Sequence, residues 1–417
     1  MITNNAVDNS GTQPVCILAD MDTGIDDTLA LCLLMALQRA GRVQLLGCVG
    51  TYGNVLATDA MRNSRTVLDA CGGTEIPVYA GLAAPRWAQG FAVDAGCARF
   101  HGANGLGNVC WESVRAQSAA NSHSGADTSA NSSANMYANT SATAPAVQAI
   151  ESSQVGVLSL GGERVQPDDP RLAHRQIQYQ TDMQSWTTYA SKQCGFVLHD
   201  GVQAIIDTVR RYGDQVTILA TGPLTDIAEA LEQAPDIAQQ MKLVLMGGSL
   251  TQEGNCYDLI CETNIFQDPE SADVVFHSGA SVTMVGLDVT HQCLLTREHM
   301  RAFADAGSKL GKMLAQTLKF YIEANEASDP LFAQGSPLHD PLAALVAVEP
   351  GVVTCLPLGM KVETRTGVGA GFRGRTIGDP AQVRNAHPRT QVAVQVDAQH
   401  AVDEIIDAVL GLCRVVK

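Results

Sequence analysis

Basic residues are scarce in this chain of 417 residues: Lys and Arg number 27 against 43 Asp and Glu, a formal charge of −16. An electrostatic nucleic-acid footprint needs basic patches, so no nucleic-acid partner is expected. No apolar run reaches membrane-spanning length, so no membrane partner is expected either. The stretch Met1 to Pro14 lacks a basic segment followed by an apolar one, and reads as a polar tail rather than a secretory signal. The 12 cysteines contain no Cys-x-x-Cys pair, and Cys16, Cys32, Cys48 and Cys355 sit inside apolar runs. They read as small buried hydrophobes of a cytoplasmic, reducing environment rather than zinc ligands. Internal repeats are missing, and so is a dinucleotide-type glycine loop, since Gly102 to Gly107 has no strand before it. What remains is a globular composition, 46% hydrophobic and 17% charged, in a chain long enough for a large core.

Against that background, one stretch stands out. Val15 to Ala19 is a short apolar run of the kind that forms a strand buried on both faces. Asp20, Asp22, Asp26 and Asp27 then crowd around Gly24, and Thr28 to Ala40 reads as a buried helix. Strand, acidic turn and helix is the layout of an α/β site, because ligands sit beyond the carboxyl ends of parallel strands. Carboxylates so close together repel unless a proton or a cation lies among them. A hard divalent cation with oxygen ligands, Ca²⁺ or Mg²⁺, accounts for the whole cluster. Helix capping by Asp26 or Asp27 accounts for one or two of its members.

The α/β rhythm continues along the chain. Strands are expected at Val43 to Val49, Pro77 to Ala80, Val216 to Ala220, Leu243 to Met246 and Val282 to Val285, with helices between them. This alternation predicts an open, mostly parallel, doubly wound sheet with helices on both faces. Gly359 to Asp397 alternates apolar and polar residues among many glycines and suggests a small C-terminal β-hairpin region. The domain from residue 15 to 417 is interrupted at about 113–194, where Ala116 to Ala146 is almost wholly Ala, Ser, Asn, Thr and Gly. Such a segment buries too little apolar surface to offset its ordering entropy, so a disordered insertion with a weakly structured extension through Ser191 is expected. Polar residues recur at strand ends: Asn54, Thr221, the loop from Asn255 to Asn264, and a late His339-Asp340 at a helix start.

The order of these motifs resembles the inosine–uridine preferring nucleoside hydrolases. The resemblance rests on Asp20-Met-Asp-Thr-Gly-Ile-Asp-Asp27, Gly53-Asn54, His101-Gly-Ala-Asn-Gly-Leu-Gly107 and Thr221-Gly-Pro-Leu-Thr225. It continues through Met246-Gly-Gly248, Glu262-Thr-Asn264, Asp268-Pro-Glu270, His339-Asp-Pro341 and Gly371-Phe-Arg-Gly-Arg-Thr376. Each motif is weak alone; together, in order, they are specific.

The resemblance implies Ca²⁺-dependent hydrolysis of the N-glycosidic bond of ribonucleosides such as inosine and uridine, in a homodimer or homotetramer. It implies calcium ligands at Asp22, Asp27, the Thr221 carbonyl and Asp340, and ribose contacts from Asp26, Asn54, Asn255, Glu262 and Asn264. His101 would border the base pocket, with the region from Phe320 to Phe332 lining it, and His339 would stand near the leaving base. The chemistry is consistent: departure of the base builds an oxocarbenium-like centre, Asp22 is placed to act as general base, and His339 is able to give a proton near neutral pH. Asp20 is expected to be a supporting residue, hydrogen-bonded behind the others.

Plainer readings exist for each residue singly. His339 and Asp340 can cap a helix, Asn255 can serve a turn, and Glu262 and Asn264 can share one face of an exposed strand. Two positions depart from the family pattern: Asn104 stands in place of an acid, and Asp226 in place of the usual Asn, where a changed helix cap is expected. A pyrimidine-restricted hydrolase is the nearest alternative. A haloacid-dehalogenase-like phosphatase, with Asp20 as nucleophile, is a more distant one.

Overall fold

The computed structural model describes residues 13–111, 170–256, 259–367 and 371–416. The tail up to residue 12 and residues 112–169 of the Ala/Ser/Asn-rich stretch lie outside them.

Among the described residues there are twelve strands: β1 Val15–Met21, β2 Val43–Gly50, β3 Val78–Ala80, β4 Val216–Ala220, β5 Lys242–Met246, β6 Ser281–Val285, β7 Leu294–Leu295, β8 Ser336–Pro337, β9 Val353–Pro357, β10 Met360–Val362, β11 Thr376–Gly378 and β12 Thr390–Val396. Eight form the central sheet in the order β3-β2-β1-β4-β5-β6-β12-β9. Every pairing in it is parallel except that of β12 with β9. The sheet is therefore open and mostly parallel, as the alternation of elements predicts. Its C-terminal edge differs from expectation in one detail: only β10 and β11 form the small hairpin pair, while Thr390–Val396 joins the main sheet beside β6.

The order places β1 between β2 and β4, with Asp20 opposite Val49 on one side and Ala220 on the other. Strand order reverses here, and in open α/β sheets this leaves a crevice beyond the strand ends that loops on neither side cover. β1 can sit at the centre because its residues from Ile17 to Met21 are buried. The helix Ile25–Arg39 that follows is apolar nearly all round, and it packs on β2 and on the helices Ala57–Ala70, His339–Val348 and Ala398–Val415. A helix without a polar face is stable only when enclosed in this way. The buried cysteines, among them Cys32, Cys48, Cys71, Cys293 and Cys413, are free thiols within this core, as their apolar settings suggest.

The expected weakly structured extension through Ser191 is replaced by a helix, Pro170–Cys194. Tyr179, Met183, Trp186 and Ala190 are buried, a spacing of three to four residues that makes one apolar face. The polar residues between them mask that periodicity in the sequence. The helix packs against Ala57–Ala70, and the Trp186 indole Nε1 donates to the Gly81 carbonyl at 2.8 Å, next to the end of β3.

Among the described residues, no helix is long and apolar enough to cross a membrane. Since Trp186 both fills the interface and satisfies a buried carbonyl, Trp186→Ala is expected to cost about 3–5 kcal/mol. Trp186→Phe, which keeps most of the ring but orphans Gly81, should cost about 1–3 kcal/mol. Chemical denaturation of the two variants checks this; equal losses would mean that the ring packing contributes nothing, and no loss in Trp186→Phe would mean that the hydrogen bond contributes nothing.

Candidate active site

Five chain segments deliver carboxylates and amides to the mouth of the β1–β4 crevice. Asp22 follows the end of β1, and Asp26 and Asp27 sit in the first turn of Ile25–Arg39. Asn54 follows β2, Thr221 follows β4, and Asp340 lies in the first turn of His339–Val348. All six are buried.

Their contacts link them into one network. Asn54 binds both oxygens of Asp22, its backbone N–H donating to Oδ2 at 2.6 Å and its Nδ2 to Oδ1 at 3.0 Å. Asp27 accepts the Gly24 N–H on Oδ2 at 2.8 Å and the Thr221 hydroxyl on Oδ1 at 2.6 Å. It thus closes the start of its own helix with one oxygen while the other is tied to the far side of the crevice. Asp27 thus serves as an acceptor at the start of its helix and also stands in the carboxylate cluster. Close approach is possible because Gly24 has no side chain: a Cβ there would stand 2.5 Å from His101 Nδ1 and 2.9 Å from Asn54 Nδ2.

Electrostatics follow from burial. Desolvation raises Asp26 and Asp27 to about 6, opposed by hydrogen bonds to each and, at Asp27, reinforced by the charge of Asp26. Desolvation, then neighbouring carboxylates, pushes Asp22 and Asp340 well above the carboxylate range. Asp22 lies within hydrogen-bonding reach of Asp27, and Asp26 of Asp340. Two carboxylates make such a contact only across a shared proton or a cation.

The donor set fits a hard cation. One ligand atom from each of Asp26, Asp27 and Asp340 lies within 4.8 Å of the others. Asp340 Oδ2 is buried with no hydrogen-bond partner, and every available donor is oxygen, the preference of Ca²⁺ and Mg²⁺.

Beside the carboxylates lies an amide and acid shelf. Asn264 Nδ2 donates to the carbonyls of Thr221 at 2.9 Å and Met246 at 3.1 Å, bridging the ends of β4 and β5. Glu262 is buried and accepts backbone N–H bonds from Asn264 and Gly248 at 2.9 Å and from Ile265 at 3.1 Å. The pair therefore starts the helix Thr263–Gln267 and is not on an exposed strand. Asn255 does not join them: it is exposed, and its Oδ1 accepts from the Thr263 N–H and hydroxyl, both at 3.0 Å.

Two histidines border the cluster. His101 ends a short helix, Ala95–His101, where the sequence suggests only a loop. Its Nδ1 accepts the Ile25 N–H at 3.1 Å, so the ring hydrogen sits on Nε2. Burial lowers its pKa to about 4, which keeps the ring neutral although Asp26 Oδ1 is 3.8 Å away. His339 Nδ1 meets the Thr290 hydroxyl at 2.8 Å. Burial first, then the neighbouring His291 and His101, holds His339 well below the ordinary histidine value. The expectation of a ready imidazolium near neutral pH is therefore not matched by its surroundings.

Asp20 also differs from expectation. It is buried in β1, but neither carboxylate oxygen has a hydrogen-bond partner; desolvation, then Asp226 and Asp27, raises its pKa well above the usual range. It lies behind the cluster with no oxygen exposed for nucleophilic attack. Asp226 is not the expected helix cap: it lies within the first turn of Thr225–Gln233, whose N-cap is Leu224 without a side-chain bond, and its Oδ1 accepts the Leu82 N–H at 2.8 Å, fastening the chain after β3. Asn104 organises the loop after His101, with Oδ1 accepting from the N–H groups of Leu106 and Asn108 at 2.9 Å.

Thr290 and His291 escape the sequence reading. His291 packs edge-on to Phe332, with ring centroids 5.2 Å apart, and lies 5.7 Å from the His339 ring. Both residues follow the end of β6 by a few positions, the same strand-end signal that marks Asn54 and Thr221.

A family model described as inosine-uridine preferring nucleoside hydrolase matches residues 17–403. Uridine nucleosidase 1 of Arabidopsis thaliana is 27% identical over 354 residues, 84% of this chain and 78% of that protein. The pyrimidine-specific ribonucleoside hydrolase RihA of an Escherichia coli strain is 33% identical over 221 residues, 53% of this chain and 68% of that one. Among solved structures, a purine-preferring ribonucleoside hydrolase from Gardnerella vaginalis superposes with a TM-score of 0.72 at 33% identity, covering 96% of this chain and 99% of that chain.

The raised carboxylates make a testable pH signature. A carboxyl whose folded pKa exceeds its unfolded value stabilises the fold below the unfolded value, and that contribution is lost as pH rises through the folded one. For Asp26 and Asp27 the loss runs from the ordinary aspartate value of 3.8 up to about pH 6 and levels off above it. The chelated protein should melt at lower temperature at about pH 8 than at about pH 5, and a divalent cation should restore more at the higher pH. Thermal scans with chelator and with added CaCl₂ read this directly, and a melting point that climbs with pH in chelator contradicts it.

Proposed function

Since the chain belongs to the inosine-uridine preferring nucleoside hydrolase family, a family of ribonucleoside hydrolases, we propose that it uses Ca²⁺ and direct water attack to cleave inosine and uridine to free base and ribose. The observation that carries the reading is the buried oxygen cage of Asp22, Asp26, Asp27 and Asp340 beside the Asn264–Glu262 shelf. Asp22, Asp27, Asp340 and the Thr221 carbonyl would hold the ion. Thr221 remains suited to this because its hydroxyl is spent on Asp27 and its carbonyl, which has two lone pairs, gives only one to Asn264. A calcium ion held there would orient and acidify a water.

Asp22 is the general base. Its carboxylate is desolvated, which strengthens it as a proton acceptor, and Asn54 fixes both oxygens. Asp26, Asn54, Glu262 and Asn264 hold the ribose hydroxyls, with Asn255 joining when substrate is present. The backbone bonds on Glu262 fix its carboxylate before substrate arrives, so binding energy goes to positioning. The concentration of acidic groups on one side of the sugar favours the positive charge that grows at C1′ as the base departs.

His339 acts on the leaving base. Thr290 Oγ1 holds the ring through Nδ1 at 2.8 Å, and a neutral ring with its hydrogen on Nε2 would support the departing base by hydrogen bonding rather than by giving up a proton from imidazolium. His101 presents Nε2–H at the edge of the same pocket. The pyrimidine-restricted reading is favoured by one observation, the 33% identity to the pyrimidine-specific RihA. The Gardnerella structure, described as purine-preferring, is equally identical over a larger share of the chain. Cytoplasmic residence and a homodimeric or homotetrameric state are further parts of the proposal.

A panel of inosine, adenosine, guanosine, uridine and cytidine, assayed for free ribose with and without chelator, decides between these readings. Release from both inosine and uridine, abolished by chelation and restored by CaCl₂, is expected; release from pyrimidines alone selects the restricted enzyme. Full activity under thorough chelation rejects the metal. Within the active enzyme, Asp22→Asn should lower kcat by at least about a hundredfold and weaken calcium, and Asp20→Asn should do less. The reverse order would return Asp20 to the centre of the chemistry.

A further inference from the structure

The loop between Gly248 and Glu262 joins the end of β5 to the shelf, and it carries Asn255. Both of its ends meet on one carboxylate, since Glu262 Oε2 accepts the Gly248 N–H. At its start, Ser249 to Gln252, the backbone of this loop is met by two charged side chains from elsewhere in the chain.

Asp288, just after β6, takes the donors: its carboxylate accepts the N–H groups of Leu250 at 2.7 Å, Thr251 at 2.8 Å and Gln252 at 3.0 Å, and the Thr251 hydroxyl at 2.7 Å. Arg375, just before β11, takes the acceptors: its guanidinium donates to the Ser249 hydroxyl and the Ile260 carbonyl at 2.8 Å, to the Gln252 carbonyl at 3.0 Å and to the Leu250 carbonyl at 3.1 Å. Thr376 completes the hold, exchanging hydrogen bonds with Ser249 N and O at 2.9 and 2.7 Å.

We propose that Arg375 and Asp288 are the positioning residues of the sugar-binding loop, an anion and a cation gripping its two sides so that Asn255 and Glu262 are presented to the ribose. The inference rests on the nucleoside hydrolase reading of the site. Neither residue touches the carboxylate cage, and neither is a catalytic residue.

The grip has a specific geometry. Arg375 reaches carbonyls on both limbs of the loop, at Leu250 and Gln252 on the outgoing limb and at Ile260 on the return. Ser249 Oγ, Gln252 O and Ile260 O share the two hydrogens of Nη1 while Leu250 O takes Nη2, and a lysine ammonium, with no second nitrogen held in the same plane, does not reproduce that two-point reach. Inside the loop the limbs are joined by short backbone contacts, among them Gly254 N–H to Leu259 O at 2.6 Å and Asn255 N–H to Cys261 O at 3.1 Å. Gly254 has no room for a side chain, because a Cβ would stand 2.2 Å from the Cys261 carbonyl oxygen. The loop is therefore stiff at its waist and depends on Arg375 and Asp288 for its orientation on the body.

The test compares wild type with Arg375→Ala, Arg375→Lys and Asp288→Asn, using inosine and its 2′-, 3′- and 5′-deoxy analogues, with thermal unfolding measured in parallel. Inosine kcat/KM should fall about tenfold in Arg375→Ala, mainly through KM, and Arg375→Lys should not rescue it. The penalty for removing at least one sugar hydroxyl should shrink by a similar factor in Arg375→Ala, because the group that binds that hydroxyl is no longer in place. A loss of stability alone would not move that ratio. If Arg375→Ala is insoluble, Asp288→Asn carries the same comparison from the opposite side of the loop. Unchanged deoxy penalties in every soluble variant overturn the inference. If wild type releases no ribose from any nucleoside, the functional reading fails first, which is a different outcome.

Discussion

Mutual repulsion among buried carboxylates is the constraint on which the site depends. Asp20, Asp22, Asp26, Asp27 and Asp340 share a volume from which water is excluded, and each raises the cost of ionising the next. The fold tolerates this because the cluster sits where parallel strands end and two helices begin, so that N–H groups, Thr221 and Asn54 supply partial compensation. The remainder has to come from protons or from a cation. The local chemistry is thus that of a strong oxygen cage which is also a reservoir of stored electrostatic free energy.

The histidines respond to the same enclosure in the opposite sense. Burial that raises acids lowers imidazoles, and His101 and His339 are both kept neutral. Their hydrogen-bonding partners then decide their usefulness. The backbone N–H of Ile25 dictates the tautomer of His101, and Thr290 orients His339. The same burial thus shifts the acids and the imidazoles of one pocket toward their uncharged forms.

Much of this was readable from residue order. The parallel sheet followed from apolar runs alternating with helical stretches, and the cage from four Asp residues at one strand end. Asn54, Thr221 and Asp340 were legible as polar residues at other strand and helix ends, and β1 between β2 and β4 brings them together. What was not legible depends on distance in space. Nothing in the sequence near Asp20 shows that its oxygens find no donor, and nothing near His339 shows that His291 and His101 crowd it. The helix Pro170–Cys194 was hidden because its buried face is spread thinly among polar residues. Asn255 was assigned to the ribose by the family resemblance, yet its side chain turns to Thr263. The two-sided hold on its loop comes from Asp288 and Arg375, which no local pattern connects.

Asp27 has a consequence beyond chemistry. One oxygen closes the first turn of the central helix and the other reaches across the strand crossover to Thr221, so the same carboxylate sets where that helix begins and how wide the crevice stands. Asp22 and Asp340, its neighbours in the cage, come from opposite ends of the chain. The cage therefore exists only when the first strand, the middle of the sheet and a late helix are all in register. Assembly of the site is in effect a proofreading step for the fold: an occupant that needs the complete cage can be retained only by molecules in which the whole chain has found its place.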